Sequence, residues 1–298
     1  MTEAVILAVD DDPVNLAIIR ATFEDAPFQL QFAASGSRAL ALLNDEASSV
    51  DLVILDRMMP GMDGMEVLRQ IKATPRLAST PVVMKTAAAG PRQVEEGLLA
   101  GAYYYLTKPY SPAALRTIVA SALEDGQRRA KLNAPSSSQL KALQGLDQGT
   151  FSVRTLDDVE QLAELLAALC PDPPSVWTGL RELLTNAVEH GNLAISYAEK
   201  TQLKLDENWR EEIDRRAELP EYRWRRVRVS FERTLDSLRF AIADQGAGFS
   251  WRSYLEFDPA RAFDPNGRGI ALARALCFQD LHYEGCGNVA IATVRLTS

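Results

Sequence analysis

Short apolar runs alternate with amphipathic stretches across residues 1–125. Apolar runs bounded by polar residues predict buried strands, and apolar residues that recur every three or four positions predict helices. The predicted strands are 5–9, 29–33, 50–55, 81–84 and 103–106, and the predicted helices are 13–23, 37–43, 66–72, 92–100 and 112–123. Five strand–helix units in succession predict an α/β domain in which helices cover both faces of a five-stranded parallel sheet.

The pattern changes at residues 126–149. This segment contains Arg128-Arg129 and Pro135-Ser136-Ser137-Ser138 but few large apolar residues. Such a composition is typical of a flexible or partly helical linker. We therefore expect a first domain at 1–125, a linker at 126–149 and a second domain at 150–298.

The second domain combines strands and helices in a different order. Strands are predicted at 151–154, 224–232, 235–243, 280–284 and 289–295, and helices at 156–169, from Pro173-Pro174 through Asn186, and at 269–277. The charged stretch 197–219 is predicted to be an exposed helical insertion, and 250–266 is predicted to be irregular. Antiparallel strands with helices on one face predict an α+β sandwich.

Composition fits two folded domains of ordinary size. The chain has 298 residues, of which 47% are hydrophobic, and its net charge is -8. An acidic chain is a poor partner for nucleic acids or anionic membrane surfaces, so neither is expected as a direct partner. The three cysteines, Cys170, Cys277 and Cys286, are odd in number and lack CxxC spacing. This favours buried free thiols over a zinc site or disulfides.

Targeting signals are also missing from the sequence pattern. Thr2-Glu3 stands where a signal peptide has a basic region, and the apolar run that follows is short. No apolar stretch approaches the roughly 20 residues that span a bilayer. We expect a cytoplasmic protein.

Polar residues follow four of the strands predicted for residues 1–125, and they should meet at one edge of the sheet. They are Asp10-Asp11-Asp12, Asp56, Thr86 and Lys108. Crowded carboxylates favour a bound divalent cation, and one of them could then attack a phosphoryl group. Thr86 and Lys108 could hold the phosphate oxygens. Asp12, directly before Pro13, is expected to cap a helix and to bind no metal.

These motifs resemble a bacterial response-regulator receiver domain. The resemblance rests on Asp10-Asp11, on Leu55-Asp56 with Pro60 and Gly64, on Lys85-Thr86-Ala87 and on Lys108-Pro109. It implies a flavodoxin-like fold and a cognate histidine kinase that phosphorylates Asp56. It also assigns Thr86 and Lys108 to the phosphoryl group and Tyr105 to a conformational switch. The implied Mg2+ ligands are Asp10, Asp11, Asp56 and the backbone carbonyl of Met58.

A second chemical motif lies at Glu182-Leu-Leu-Thr-Asn186-Ala-Val-Glu-His190-Gly191. Glu182 and Asn186 are four residues apart and project from one side of a helix. The carboxylate can accept a proton, and the carboxamide oxygen suits Mg2+. Further on, Asp244-Gln-Gly246-Ala-Gly248 could hold a purine and let backbone approach phosphates. Together the two motifs indicate a nucleotide site and favour a kinase.

Residues 150–298 resemble the GHKL ATPase superfamily, within it the anti-sigma-factor type of serine kinase. Three short sequence motifs, here called boxes, support this. The first box is Glu182, Asn186, His190 and Gly191, the second is Asp244, Gly246 and Gly248, and the third is Gly267-Arg268-Gly269. The resemblance implies a Bergerat-type sandwich that binds ATP and Mg2+, with Mg2+ on Asn186, Glu182 as general base and 250–266 as the ATP lid. It implies as partners a small anti-sigma-factor antagonist and a sigma factor. The short third box and the insertion at 197–219 depart from the family pattern and would be consistent with weakened turnover.

The histidine count separates two classes of kinase. The chain has only His190 and His282. His190 lies inside the first ATPase box, and His282 lies in a late strand, where a core or edge role is expected. No helix carries an acceptor histidine, so an ordinary sensor histidine kinase is excluded.

The sequence therefore predicts a response regulator whose output is a serine kinase controlled by Asp56. One alternative is a non-enzymatic partner-switching module that binds ATP and sequesters a sigma factor or an antagonist. A DNA-binding regulator is disfavoured by the net charge of -5 over 151–298. The basic run from Tyr222 to Arg228 is interpreted as a strand with solvated, alternating arginines. The oligomeric state, including a homodimer, stays open.

Overall fold

A computed structural model describes residues 4–45, 49–87, 90–132, 145–206, 208–257 and 267–296. The chain divides into two compact units, Met1–Lys131 and Leu132–Ser298. Each unit is described by itself. Among the described helices, none is long and apolar enough to cross a membrane.

The first unit is a doubly wound α/β fold. Its five strands pair in parallel in the order β2-β1-β3-β4-β5, which is the flavodoxin-like order. The strands are β1 Ala4–Val9, β2 Phe28–Ala33, β3 Leu52–Asp56, β4 Val82–Thr86 and β5 Tyr104–Thr107. The helices are α1 Pro13–Thr22, α2 Gly36–Asn44, α3 Gly64–Ala73, α4 Pro91–Leu99 and α5 Pro112–Leu132. This confirms the predicted fold.

Burial and capping explain these elements. Every residue of β3 and β4 is buried, as expected for central strands covered on both faces. Asp12 caps α1 by accepting a hydrogen bond from the Val14 amide at 2.8 Å, as predicted. The loops after β1, β3, β4 and β5 therefore meet at one edge of the sheet.

Helix α5 is longer than the sequence prediction. The predicted helix ends at residue 123 and the predicted linker begins at Gly126, but the helix runs to Leu132. Residues 127–132 are good helix formers, and one internal glycine costs only about 1 kcal/mol. The first part of the predicted linker is therefore helical. Residues 133–144 lie outside the described residues.

The second unit is an α+β sandwich, as predicted. Its sheet is antiparallel in the order β6-β7-β8-β10-β9. The strands are β6 Gln148–Val153, β7 Val227–Arg233, β8 Ser237–Ala243, β9 Asp280–Glu284 and β10 Val289–Arg295. The helices are α6 Leu156–Ala167, α7 Pro173–Asn186, α8 Tyr197–Leu205, α9 Trp209–Ala217 and α10 Gly269–Leu276. A π-helical turn, Ala187–Asn192, continues α7.

Two predicted strand starts are wrong. Strand β7 begins three residues after Trp224, whose residue surface is 74% exposed in a turn. Strand β8 begins two residues after Leu235, which is fully exposed in the hairpin connection. Because Trp224 and Leu235 are apolar, both predicted strands began too early, within the turns that precede them. The basic run is also not an alternating strand, because residues 222–226 precede β7 and only Val227 and Arg228 belong to it. Within that connection, Arg225 donates to the Asn192 carbonyl at 3.0 Å.

The insertion and the lid differ from their predictions in part. Helices α8 and α9 form the predicted helical insertion, but Lys200, Ile213 and Ala217 are buried, so one face of the insertion packs against the unit. The predicted irregular segment contains a short 3-10 helix, Trp251–Tyr254. Its residues 258–266 lie outside the described residues.

Cysteine burial also differs from the prediction. Cys170 is buried, which raises the pKa of its thiol to about 12. Cys277 is half-buried and Cys286 is exposed. The prediction of buried free thiols is therefore right for Cys170 alone.

Candidate functional sites

An acidic pocket lies at the carboxyl edge of the first sheet. Asp10 follows β1, Asp56 ends β3 and Lys108 follows β5. The Lys108 ammonium donates a short hydrogen bond to Asp56 Oδ1 and lies 3.3 Å from Asp10 Oδ2. The structure thus brings three of the predicted site residues together.

A second lysine in this pocket was missed in the sequence. Lys85 has no exposed surface, and its Nζ lies 2.7 Å from Asp10 Oδ2. Its backbone is paired in register with Asp56 in the neighbouring strand. A charged residue directly after the apolar run 82–84, at a position that still belongs to the strand, was the available signal, because lysine is rarely buried without a partner.

The remaining residues predicted for this pocket differ in position. Asp11 is exposed. Met58 has an exposed side chain, and its amide donates to Asp56 Oδ2 at 3.0 Å. Thr86 is fully buried, and its Oγ1 finds no hydrogen-bond partner among the described residues. A buried hydroxyl without a partner is unfavourable and is consistent with a polar ligand at this place.

The two buried carboxylates have opposite pKa shifts. Burial alone would raise the pKa of Asp10, but hydrogen bonds from Lys85 and Asn15 and the Lys85 charge together lower it. Burial raises the pKa of Asp56; the Lys108 hydrogen bond opposes this rise and the Asp10 charge adds to it. Asp10 therefore holds its negative charge more strongly than Asp56.

Carboxylate oxygens are ligands that suit Mg2+. Asp56 retains unused lone pairs, and the exposed Asp11 follows Asp10 directly, so both fit a hard cation. Over the described ranges, however, no three His, Cys, Asp or Glu side chains converge as a metal site. The predicted set of Asp10, Asp11 and Asp56 is therefore not preassembled.

Tyr105 is buried in β5 at 4% exposure. Its hydroxyl oxygen accepts a hydrogen bond from Arg57 Nη1 at 2.7 Å and donates to Met65 Sδ at 3.4 Å. Its ring lies against the backbone of Gly97, where any Cβ would collide with it. Because Arg57 directly follows Asp56 and also donates to the Gln93 carbonyl at 3.2 Å, it links the pocket to α4.

The second candidate site begins on α7. Asn186 Nδ2 donates to Glu182 Oε1 at 3.0 Å, which confirms that the two side chains share one side of the helix. The Glu182 carboxylate lies against the backbone of Gly269, at the start of α10. The first and third predicted boxes therefore meet.

The Asp244 box packs onto the π-helical turn. Asp244 Oδ1 accepts a hydrogen bond from the Gly246 amide at 2.7 Å. A Cβ on Gly191 would lie 2.5 Å from Asp244 Oδ1, and one on Gly246 would collide with the Gly191 carbonyl oxygen. Only glycines fit this approach. Burial raises the pKa of Asp244.

Two more glycines of the boxes have left-handed backbones. The φ angles are +78° at Gly248 and +81° at Gly267, a region that favours glycine. A Cβ on Gly267 would lie 2.7 Å from the Tyr197 ring, so the insertion reaches the third box. Arg268, between the box glycines, is buried.

His190 has a structural contact within the first box. Its Nδ1 donates to the Ile195 carbonyl oxygen. Burial lowers the pKa of His190, so the ring is neutral at pH 7. His282 lies on the edge strand β9, as expected, and bonds Asp280 through Nδ1 at 2.7 Å.

A buried ion pair beside the first box was also missed. Glu189 has no exposed surface, and its carboxylate pairs with Lys200 of α8 at 2.5 Å. The Trp209 indole of α9 donates to the same carboxylate. The insertion is thereby fixed to the turn that follows Asn186.

The residues of this site fit ATP. Asp244 Oδ2 accepts no hydrogen bond from the described residues and could take an amino group. At four box glycines a Cβ would collide with neighbouring atoms, which are backbone atoms at Gly246 and Gly248 and side chains at Gly267 and Gly269. Asn186 uses its Nδ2 on Glu182, which leaves its oxygen for a cation.

Family models match both units. The model of the response regulator receiver domain matches residues 6–120, and that of the histidine kinase-like ATPase domain matches residues 157–294. Among curated relatives, the rice two-component response regulator ORR11 (Oryza sativa) is 36% identical over 108 residues, which are 36% of this chain and 73% of the relative. The response regulator PleD of Caulobacter vibrioides is 33% identical over 175 residues, 55% of this chain and 37% of its own.

The transcriptional regulatory protein YrkP of Bacillus subtilis is 38% identical over 118 residues, 40% of this chain. The chain spans 48% of the length of that relative. Among solved structures, chemotaxis protein CheY4 of Vibrio cholerae is 30% identical and covers 41% of this chain and 99% of its own, with a TM-score of 0.38. A receiver domain protein of Methanospirillum hungatei is 25% identical over 43% of this chain and 98% of its own, with a TM-score of 0.40.

The receiver fold, its pocket, the two family models and the ORR11 relative lead to one conclusion. The chain belongs to the two-component response regulators, and it joins a receiver domain to a histidine kinase-like ATPase domain.

Proposed function

We propose that the output of this response regulator is an ATP-dependent protein serine kinase of the anti-sigma-factor type, controlled by phosphorylation of Asp56. The observation behind the proposal is the hydrogen-bonded Glu182–Asn186 pair against Gly269. In the proposal Glu182 is the proton acceptor and Asn186 is the Mg2+ ligand, and both lie beside a glycine-bounded helix start, so these residues would supply the parts that phosphoryl transfer requires.

ATP bound here would supply the γ-phosphoryl group. Asp244 would hold the adenine amino group, and Asn186 would hold Mg2+ with the phosphates. Glu182 would accept the hydroxyl proton of a substrate serine. The serine oxygen would then bond to the γ-phosphorus as the bond from that phosphorus to ADP breaks. The proposed substrate is a small anti-sigma-factor antagonist. In its unphosphorylated form, the antagonist would compete with a sigma factor for binding to the kinase unit.

Histidine is not the proposed acceptor. Of the two histidines in the sequence, His190 is tied to Ile195 within the ATPase box and His282 is bonded to Asp280 on an edge strand. His190 lies in the π-helical turn that continues α7, where its ring is held by the Ile195 carbonyl, and His282 lies in β9, so neither histidine stands on a separate acceptor helix. A hydroxyl on another protein therefore fits better.

The receiver unit would set the activity of the kinase unit. A partner histidine kinase would donate its phosphoryl group to Asp56, with Lys108 already on Asp56 Oδ1 and Thr86 supplying its unpartnered hydroxyl. Rearrangement of Tyr105, through Arg57, would carry the change to α4. The segment 126–149 would connect it to the second unit.

One observation favours a second candidate, an ATP-binding module that sequesters its partner without catalysis. The Glu182 carboxylate lies at the start of α10, where phosphates would gain most from the helix amides, and the third box has only two glycines. A carboxylate at that place would keep the terminal phosphate away from the helix amides, which favours a module that binds ATP without transferring its phosphoryl group.

Phosphotransfer from radiolabelled ATP tests the proposal. The purified chain is incubated with Mg2+, labelled ATP and candidate antagonist proteins, with or without prior phosphorylation of Asp56 by acetyl phosphate. We expect acid-stable label on the antagonist, which marks a serine ester, at a rate that differs between the two receiver states. Tight partner binding with no label on any partner would support sequestration instead.

A further inference from the structure

Lys85 is a fully buried lysine that belongs to the acidic pocket. It follows Val83-Met84 within β4, and its ammonium lies 2.7 Å from Asp10 Oδ2, with both side chains at 0–1% exposure. A lysine can be retained in such a place when a carboxylate pairs with it. The Lys85–Asp10 pair is therefore a built-in part of the pocket.

The hydrogen bonds of Asp10 are saturated. Oδ1 accepts from the Asp12 amide and from Asn15 Nδ2, each at 3.0 Å. Oδ2 accepts from Lys85 at 2.7 Å and from Lys108 at 3.3 Å. Because a carboxylate oxygen has two lone pairs, Asp10 has none left for a metal ion.

We propose that Lys85 is a resident cation. It pairs with Asp10 in place of Mg2+ and neutralises part of the negative charge that Mg2+ would otherwise neutralise. Mg2+ is then held by Asp11, Asp56 and the Met58 carbonyl, and it binds more weakly than it would without Lys85. The inference rests on the proposed role of Asp56 as the phosphorylated residue.

The charges of the pocket residues determine whether loss of Lys85 strengthens or weakens Mg2+ binding. Asp10, Asp11 and Asp56 contribute three negative charges, and Lys85 and Lys108 contribute two positive charges. Loss of Lys85 would double the net negative charge that a divalent cation meets. At protein-like dielectric constants, one unit charge a few ångströms away changes binding by about tenfold or more.

Direct Mg2+ titration of the intact chain by isothermal calorimetry tests the proposal. Lys85→Met keeps the length of the side chain, and Lys85→Gln keeps a hydrogen-bond donor without the charge. We expect each variant that folds, judged by circular dichroism, to bind Mg2+ about tenfold or more tightly than wild type. Unchanged or weaker Mg2+ binding, or no measurable binding in any of the chains, overturns the proposal.

Arg76→Gln is the matched control. Arg76 is exposed before β4, at the end of that strand opposite the pocket, and it donates to the Leu43 carbonyl. Its loss removes one positive charge from the same unit and should leave Mg2+ affinity unchanged. An equal gain in this control would assign the effect to net charge and overturn the proposal.

Thermal stability with and without divalent cations is a second measurement. Because bound Mg2+ stabilises the folded chain, EDTA should lower the melting temperature less in wild type, where Mg2+ binds weakly, than in Lys85→Met. An equal or larger drop in wild type would contradict a resident cation. Acetyl phosphate labelling separates the two proposals, because tighter Mg2+ binding without label on Asp56 would reject only its phosphoacceptor role.

Discussion

The Glu182 side chain lies directly over the backbone of Gly269, so closely that a Cβ at residue 269 would lie 2.6 Å from Glu182 Cγ and overlap the carboxylate. The two residues come from boxes 87 positions apart in the chain. Their contact places the proposed general base at the start of α10. Glycine is required there because of space, since its φ is not in the left-handed region.

Gly269→Ala should displace the Glu182 carboxylate without unfolding the domain. The colliding atoms are the far end of a flexible side chain, so they can move. A displacement of about 1 Å can cost on the order of 10²-fold in rate. We expect phosphotransfer to fall strongly while ATP binding, measured by calorimetry, is largely retained.

Gly246→Ala is the comparison for that variant. Its Cβ would meet the backbone carbonyl of Gly191, which cannot move aside in the same way. This variant should lose ATP binding as well as phosphotransfer. Unimpaired phosphotransfer in Gly269→Ala would contradict the role assigned to the Glu182–Gly269 contact.

Lys200→Met should destabilise the second unit. It leaves the buried Glu189 carboxylate without its cation, which typically costs about 3–5 kcal/mol in the free energy of unfolding. Denaturant titration measures the loss, and adding Glu189→Gln to the variant should recover much of it. Arg210→Met, which breaks an exposed pair with Asp157, should cost less than about 1 kcal/mol. Equal losses in the free energy of unfolding for Lys200→Met and Arg210→Met would contradict this assignment.

Tyr105→Phe should weaken the connection between the pocket and α4. The variant removes the hydrogen bond with Arg57, which is worth about 1.5–3 kcal/mol when the donor is charged. Arg57→Met should cost a similar amount, and the double variant should cost less than the two single losses together. Additive losses in denaturant unfolding would show that the two side chains do not act as a pair.

The pH dependence of ATP binding should reveal Asp244. Burial raises the pKa of this carboxyl, so it takes up a proton at higher pH than an ordinary aspartate. If the ionised form accepts the adenine amino group, ATP affinity falls as pH decreases from 7 towards 5. Asp244→Asn should bind weakly and lack this component. Nucleotide phosphates titrate equally with both proteins, so parallel pH profiles would reject the role of Asp244.

The sequence was sufficient for the fold of the first unit because its strands are continuous apolar runs separated by capped helices. It also located Asp10, Asp56 and Lys108, since residues that follow parallel strands meet at one edge. Lys85 was missed because a strand pattern reports apolar faces and does not show which buried position finds a counter-charge. The extent of α5 was missed because Gly126 looks like a boundary, although flanking helix formers outweigh one glycine.

In the second unit, the spacing of Glu182 and Asn186 was enough to predict their contact, since helical geometry is local. The Glu189–Lys200 pair could not be predicted in this way. It joins the end of α7 to an insertion whose charged composition suggested a solvated surface, and only tertiary packing shows which lysine is buried. Trp224 and Leu235 extended two strand predictions because apolar residues in turns imitate the strand pattern.

The most direct test of the central claim is phosphotransfer from labelled ATP to an antagonist protein by Glu182→Gln. Loss of a general base should lower the rate by about 10²-fold or more, with ATP binding retained. Glu211→Gln, an exposed glutamate on α9, is the matched control and should behave as wild type. Phosphotransfer by Glu182→Gln at the wild-type rate would contradict a serine kinase that uses Glu182 as its base.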